Sequence, residues 1–386
     1  MRIAISGLGV VAATGVGVEA NLASLLQGQS GVGRLNLFAS HHAVPVGEVR
    51  LKNEELKQLL GLNPNKIVSR TSLLGMLAAR EAVEAAQICE GLRVGLVSAT
   101  SVGGMDLTEQ FFPQFISDSA SGRIAMVAQH DPKQSTDAIA RYSGIEGYRT
   151  TISTACSSAA NAVIHAARLI RHGVCDVVVA GGCDALSKFT LNGFSSLGIL
   201  DENPCRPFDQ SRAGLNLGEG AGYIVLQRED TCQRTPYAYL QGYANANDAH
   251  HQTATSEEGE GAFRAMSEAL EMAQLQKVDY INVHGTGTPN NDASEGAALR
   301  RIWGDEIPEF SSTKPFTGHT LAAAGGIEAV FGVLSLCEGV VYPNLNFESS
   351  DSGLTPCVEL KRREIHSVMS NSFGFGGNDS SLIFVK

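Results

Sequence analysis

Residues 151–173 read TISTACSSAANAVIHAARLIRHG, and the fold is most legible there. Thr151 to Thr154 is an extended segment, followed by a turn of small residues that holds Cys156. Ala162, Val163, Ala166, Ala167, Leu169 and Ile170 then recur at helical spacing, and Gly173 is placed to stop the helix. A cysteine at a strand-to-helix turn meets the positive end of the helix dipole, which favours thiolate over thiol. The slim Ala and Ser neighbours would let a long substrate reach the sulfur. Free cysteine is usually inert core, however, so these residues alone leave both readings open.

The stretch belongs to a chain of 386 residues that is 43% hydrophobic and 18% charged, with ample material for a core. A formal net charge of -11 argues against a nucleic-acid or anionic-membrane binder, although a local basic patch fits within that sum. None of the eight cysteines forms a CxxC pair, and no Cys/His cluster has metal-finger spacing, which implies reduced thiols in a cytoplasmic protein and no metal. The weakly apolar run from Arg2 to Val18 reads as strand and loop rather than a signal segment. No segment is expected to supply the roughly 18–20 apolar residues of a membrane span.

Outward from the opening stretch, strands and helices alternate. Arg2–Ala13 reads as a strand running into a glycine turn. Its Gly7, Gly9 and Ala12 fit a dinucleotide pattern, but no acidic residue stands at the required distance. Lys66–Ala86 reads as a long helix, Arg93–Gly104 as a strand into a glycine-rich turn, and Asp106–Asp137 as largely helical. The apolar strand at 176–180 and the strand at 219–227 complete the first half.

A second pass through the same order begins near Pro236: helix 261–273, strand into glycine turn at 279–288, then strand, turn and small-residue helix across 310–336. The chain thus divides into residues 1–235 and 236–386 and implies a duplicated, layered α/β architecture. The duplication sets Cys156 and His319 at equivalent turns, while His284 stands at the end of another strand before Gly285, Thr286, Gly287 and Thr288. Sites in α/β proteins gather at the carboxyl ends of strands, and one thiol with two imidazoles suits acyl transfer. Singly, a histidine at a strand end is more often a packed, hydrogen-bonded residue.

Seven motifs in order carry a resemblance: ISGLGVVAATG, TACSSAANA, AGGCDA, CRPFDQSRAGLNLGEGAG, VHGTGTPNND, STKPFTGHTLAAAGGIEA and NSFGFGG. With them the chain resembles the β-ketoacyl-acyl carrier protein synthases of the thiolase fold, above all the elongating and type II polyketide ketosynthases. The resemblance implies a five-layered α/β/α/β/α fold with two mixed sheets. It also implies a decarboxylative Claisen condensation giving 3-oxoacyl-acyl carrier protein, in fatty acid or polyketide, even aryl polyene, biosynthesis.

Cys156 would carry the acyl chain. His284 and His319, with depressed pKa values, would hold the malonyl thioester, supported by Lys314 and Glu328. Asp292 and Glu295 could pair with Lys314. The N–H groups of Cys156 and Phe375 would form an oxyanion hole. Thr286, Thr288 and Thr253 would meet the phosphopantetheine arm, and Phe375 would act as a gate. Val102, with Phe194 nearby, would set acyl-pocket depth. Lys66 and Arg70 are candidates to meet an acidic acyl carrier protein, although solvated helix charges look the same.

No bound cofactor is implied, since the substrates ride on the carrier. A homodimer or a heterodimer with a chain-length-factor homologue is implied. Pro315, Asn378 and Asp379 depart from the family pattern and leave room for a specialised pathway. The rival readings are a non-catalytic chain length factor, a thiolase and a nucleotide-dependent oxidoreductase. The retained Cys156 counts against the first. The absence of a second late cysteine counts against the second.

Overall fold

The computed structural model describes residues 1–386. In the N-terminal half five strands form one mixed sheet: β1 (Ile3–Ala12), β2 (Val94–Ala99), β3 (Arg149–Ile152), β4 (Val177–Asp184) and β5 (Gly220–Arg228), in the order β1-β5-β4-β2-β3. The C-terminal half repeats that order with β6 (Ala238–Asn247), β7 (Tyr280–Asn282), β8 (Glu309–Ser311), β9 (Ser367–Gly374) and β10 (Asn378–Val385), as β6-β10-β9-β7-β8. The inner pairings repeat as well: β2 is parallel to β3 and β4, and β7 is parallel to β8 and β9. The two sheets join where β1 meets β6 through Ala4–Tyr239 and Ile5–Ala238, so the hydrogen bonding is continuous from one to the other.

Five layers follow from which face each strand residue uses. Along β4, Val178 and Ala180 enter the central core, while Val177, Val179 and Cys183 enter the outer one. That split is the period-two alternation of a strand buried on both faces. Helices α1 (Arg70–Ala86) and α2 (Pro132–Tyr142) cover the outside of the first sheet. Helices α4 (Glu260–Ala273) and α5 (Pro289–Trp303) cover the outside of the second. Between the sheets lie α3 (Ser158–Arg171) and α6 (Ala324–Glu338).

The middle layer is thin because its residues are small. A Cβ at Gly325 of α6 would fall 2.9 Å from the backbone nitrogen of Ala160 on α3 and 2.7 Å from Ser372 Oγ on β9. Thirteen residues of α6, Ala324 to Leu336, are buried, as expected of a helix apolar all round. For the same reason the stretch Leu321–Glu338 is long and apolar enough to cross a membrane, contrary to the expectation that no segment would be. It is 89% buried inside the fold, where the two sheets supply its apolar surroundings.

Gly7 and Gly9 lie within β1, not in a turn after it. A Cβ at Gly9 would sit 1.9 Å from Ala78 O and one at Gly7 2.0 Å from Ala82 O. These glycines serve close strand–helix packing, and the dinucleotide reading falls with the turn it needed. The long helix starts at Arg70 rather than Lys66, capped by Ser69 Oγ, which accepts from Ser72 N. The region 106–137 divides into a helix over Met105–Ser117, a short 3-10 helix over Ile124–Gln129 and the start of α2.

Arg70 does not face a carrier protein. It is 1% exposed and grips Glu219 at 2.6 and 2.8 Å while donating to Leu51 O and Val49 O. Glu219 also accepts from Val49 N and Leu186 N, so the pair ties α1, β5 and two loops together. Lys66, four residues earlier, is exposed. Breaking one side of a buried pair strands the other charge, so Arg70→Ala should cost about 3–5 kcal/mol in urea unfolding. Lys66→Ala should stay within about 0.5 kcal/mol of the native protein.

Candidate active site

The strand-to-helix turns that open α3 and α6 face each other across the central layer. Cys156 follows β3 after Ala155, which takes a left-handed φ of 53°. Ser158 Oγ accepts from Thr154 N and donates to Ala155 O, fixing that turn. In the second half His319 precedes Leu321, whose φ is 55°, and His284 follows β7 by two residues. The Cys156 sulfur and a ring nitrogen from each histidine all lie within 4.8 Å of one another. The imidazole centroids are 5.4 Å apart and meet edge to face at 87°. Such a donor set could also grip a thiophilic ion such as zinc.

All three groups are buried, and burial dominates their chemistry. His319 is pulled down to about 3, by burial first and then by the Lys314 charge. His284 is pulled well below the ordinary histidine range, by burial, then Lys314, then His319. Both are neutral near pH 7. His319 Nδ1 accepts from Leu321 N at 3.1 Å, which assigns its proton to Nε2. Lys314 Nζ donates to His284 O at 2.5 Å and to Glu328 Oε1 at 2.6 Å. Burial pushes Glu328 up against the pull of Lys314.

The thiol departs from expectation. Burial pushes Cys156 up to about 11, outweighing Lys314 and the N–H groups of Phe375 and Cys156 that aim at it. The resting group is a thiol, because desolvation of a thiolate costs more than these dipoles return. Those two N–H groups both reach the sulfur, whereas an oxyanion hole needs its donors at the carbonyl oxygen of a bound thioester. The turn that bears Phe375 lies against the cysteine turn: a Cβ at Gly374 would fall 3.2 Å from Cys156 N.

A cavity of about 240 Å³ opens above the trio. Thr253, Thr286 and Thr288 line it, with the two inner hydroxyls 2.9 Å apart. Phe375 and Phe194 stack at 6.0 Å on its wall. Val102 does not line this cavity; it packs in the apolar cluster that also takes Phe194, Leu186 and Leu191.

Asp292 and Glu295 do not pair with Lys314. Glu295 accepts from His284 N, Gly285 N and Asn371 Nδ2, and Asp292 from Phe208 N and Gly287 N. They hold the glycine-threonine turn open because its backbone donors need acceptors inside the fold. Pro315 is accommodated at the second position of the short helix Lys314–Thr317, where no N–H is required. Asn378 Oδ1 accepts from Ser157 Oγ, Asn161 Nδ2 and Asn245 Nδ2, fastening the last turn to the start of α3.

One supporting residue escaped the sequence reading. Asp184, at the end of β4, accepts from Thr100 Oγ1, Ser101 N and Ala322 N, and so joins the loop after β2 to the His319 turn. Burial pushes it up to about 6. Its signal was present in AGGCDA, an acid in an otherwise apolar strand end.

Comparison with known proteins agrees with this geometry. Residues 1–231 match the family described as "Beta-ketoacyl synthase, N-terminal domain", and residues 237–348 match "Beta-ketoacyl synthase, C-terminal domain". A "3-oxoacyl-[acyl-carrier-protein] synthase 2" of Staphylococcus aureus (strain MRSA252) is 31% identical, covering 100% of this chain and 98% of its own. A structure titled "The ishigamide ketosynthase/chain length factor" superposes with a TM-score of 0.94 at 28% identity, covering 100% of this chain and 99% of its own. A chain of the structure titled "Ketosynthase (ApeO) in Complex with its Chain Length Factor (ApeC) from Xenorhabdus doucetiae" gives a TM-score of 0.87 at 32% identity, covering 100% of this chain and 98% of its own.

The neutral histidines make stability depend on pH. Their folded pKa values lie below the unfolded value near 6.5, so the unfolded state binds protons first as pH falls. Stability from each is complete above about 6.5 and declines below it, by up to about 1.4 kcal/mol per pH unit. For His319 the decline runs down to about 3. Asp184, Glu295 and Asp379, pushed up by burial, act in the opposite sense over the same range, so the histidine's share is read as a difference. The stability of native protein minus that of His319→Gln in urea unfolding should fall as pH drops below about 6.5.

Proposed function

The chain belongs to the β-ketoacyl synthase family, and from that premise we propose how it acts: as an acyltransferase that condenses malonyl-acyl carrier protein with an acyl chain held on Cys156. The product is 3-oxoacyl-acyl carrier protein, and carbon dioxide is released. The observation that carries the reading is the meeting of one thiol and two neutral imidazoles within 4.8 Å beside a cavity lined by Phe375 and Phe194.

In the first half-reaction Cys156 Sγ attacks the acyl thioester. The developing oxyanion takes the N–H groups of Cys156 and Phe375, and the thiol proton leaves with the departing pantetheine sulfur. In the second, the bond to the malonyl carboxylate breaks and its electron pair passes to the thioester oxygen. His319 Nε2–H and His284 stabilise that enolate as neutral donors, which Lys314 secures by opposing a further positive charge. The enolate carbon attacks the acyl-Cys156 carbonyl, the C–S bond breaks, and the sulfur regains a proton from solvent. Loss of carbon dioxide drives the step, so no cofactor is needed beyond the phosphopantetheine arm of the carrier.

Thr286, Thr288 and Thr253 hold that arm, and Phe375 stacked on Phe194 gates the way to the acyl chain. Phe194 belongs both to the cavity wall and to the apolar cluster of Val102, so an acyl chain passing Phe194 would reach that cluster, where a valine leaves room for a long or conjugated chain. The partners are an acyl carrier protein, met near Lys66, and either a second copy or a chain length factor. The setting is cytoplasmic fatty acid or type II polyketide synthesis. A non-catalytic chain length factor is the second reading, and the assembled Cys156 site counts against it.

Intact-mass analysis with acyl-carrier protein should show an acyl adduct on the native enzyme and none on Cys156→Ala. No adduct on the native enzyme would overturn the mechanism. His284→Ala and His319→Ala should retain the adduct yet lose condensation by about 10²–10⁴-fold. Carrier thioesters of graded length should extend well beyond short chains, and a strict preference for short chains would sink the role given to Val102.

A further inference from the structure

Asp379, the second residue of β10, occupies a costly position. It is 2% exposed, its Oδ1 has no hydrogen-bond partner, and the main charges around it are those of Asp248 and Glu295. It stands across from Phe373 on β9 and Ala246 on β6. The carboxyl fits only because position 261 is glycine: a Cβ there would fall 2.0 Å from Asp379 Oδ2 and 2.9 Å from Asp248 Cβ. Asp379 through its carboxylate and Asp248 through its Cβ therefore border the same space at the start of α4.

Asp248 begins the loop that contributes Thr253 to Thr255 to the cavity wall. Its Oδ1 accepts from His250 N and its Oδ2 from Ser256 N, so it shapes that loop from within. The same loop is stitched to the Phe375 turn: Asp248 N donates to Gly377 O, Gly376 N to Gln252 O, and Asn247 Nδ2 to Gly376 O. A Cβ at Gly377 would fall 2.1 Å from Asp248 Oδ1, so this acid presses directly on the turn's backbone.

We infer that Asp379 is a positioning residue whose protonated carboxyl donates to the Asp248 carboxylate, latching the Phe375 turn to the 248–256 loop, and that loss of this proton releases the latch. Burial pushes Asp379 up to about 8, with Asp248 and Glu295 adding to it and Gly374 N–H opposing. Of the elements packed around it, α5 presents Glu295, itself pushed up to about 7 by burial, and the loop presents Asp248. On α4, Gly261 brings no charge and Glu260 turns to Arg301 and Arg264 at the surface. Neither Phe373 nor Gly374 on β9 titrates. Below about pH 8 the proton is present and the latch holds; above it two adjacent carboxylates repel.

The inference rests on reading Phe375 as the gate over Cys156, so two readouts separate them. Iodoacetamide alkylation of Cys156, followed by peptide mass, is timed for native and Asp379→Asn protein from about pH 6.5 to about pH 9.5. Asparagine keeps a donor to Asp248 and cannot ionise. The native-to-variant rate ratio cancels the thiol's own titration. It should be near one at the acid end and rise roughly threefold or more above about pH 8, as the turn uncovers the sulfur. Melting temperatures at pH 7 should agree. A ratio flat with pH overturns the latch. Should the asparagine variant fail to fold, Asp248→Asn serves, because its amide can donate to ionised Asp379; the same rise is expected and a flat ratio again refutes. Acylation of native enzyme by acyl-carrier protein at pH 7 tests the ketosynthase reading separately, and its failure would leave the alkylation ratio and its meaning for the latch unchanged.

Discussion

The close contact between α3 and α6 is the constraint on which the rest depends. Two sheets can share one middle layer only if its helices approach almost backbone to backbone. Ala160 and Gly325 meet at that contact, where a single added methyl would collide at 2.9 Å. The equivalent turns that open the two helices are thereby brought face to face. One carries Cys156 and the other His319, so a packing requirement of the core becomes the spacing of a reactive site.

The same burial sets the electrostatics. A buried thiol is pushed up and buried imidazoles are pulled down, which leaves three neutral groups around one buried cation, Lys314. Neutral donors suit a negative charge that exists only during reaction, since a resting imidazolium beside Lys314 would be penalised. Protection of the site from water is also its cost, because backbone donors of the turns around it need internal acceptors. Glu295, Asp292 and Asp184 supply them, while Asn378 accepts from the side chains of Ser157, Asn161 and Asn245. Each is polar, buried or nearly so, and bound to backbone or amide groups that position a residue of the trio or the wall above it.

The mouth of the cavity is built differently. The Phe375 turn and the 248–256 loop hold each other by backbone bonds across glycines, with Asp379 and Asp248 behind them. Rigid helix starts fix the thiol and one imidazole, whereas lighter loop contacts fix what covers them. Access and chemistry can therefore respond to different forces.

How much could be read in advance follows from the range of each interaction. Period-two and helical patterns, the small-residue turn at Cys156 and the repeated order of elements are local, and they announced a duplicated α/β fold and the pairing of Cys156 with His319. Motifs of fixed spacing then supplied His284, Lys314, Glu328 and Phe375. Where local and long-range causes compete, the sequence was silent or misleading. Gly7 and Gly9 looked like a phosphate turn, yet an approaching helix dictates them. Arg70 looked like a surface charge, yet Glu219, 149 residues away, buries it. The helix start at Cys156 suggested a thiolate, yet desolvation by the second half of the chain leaves a thiol. The sequence alone determined which groups stand at the strand ends; burial, which sums contributions from both halves, decided their charge, and only the tertiary structure contains that sum.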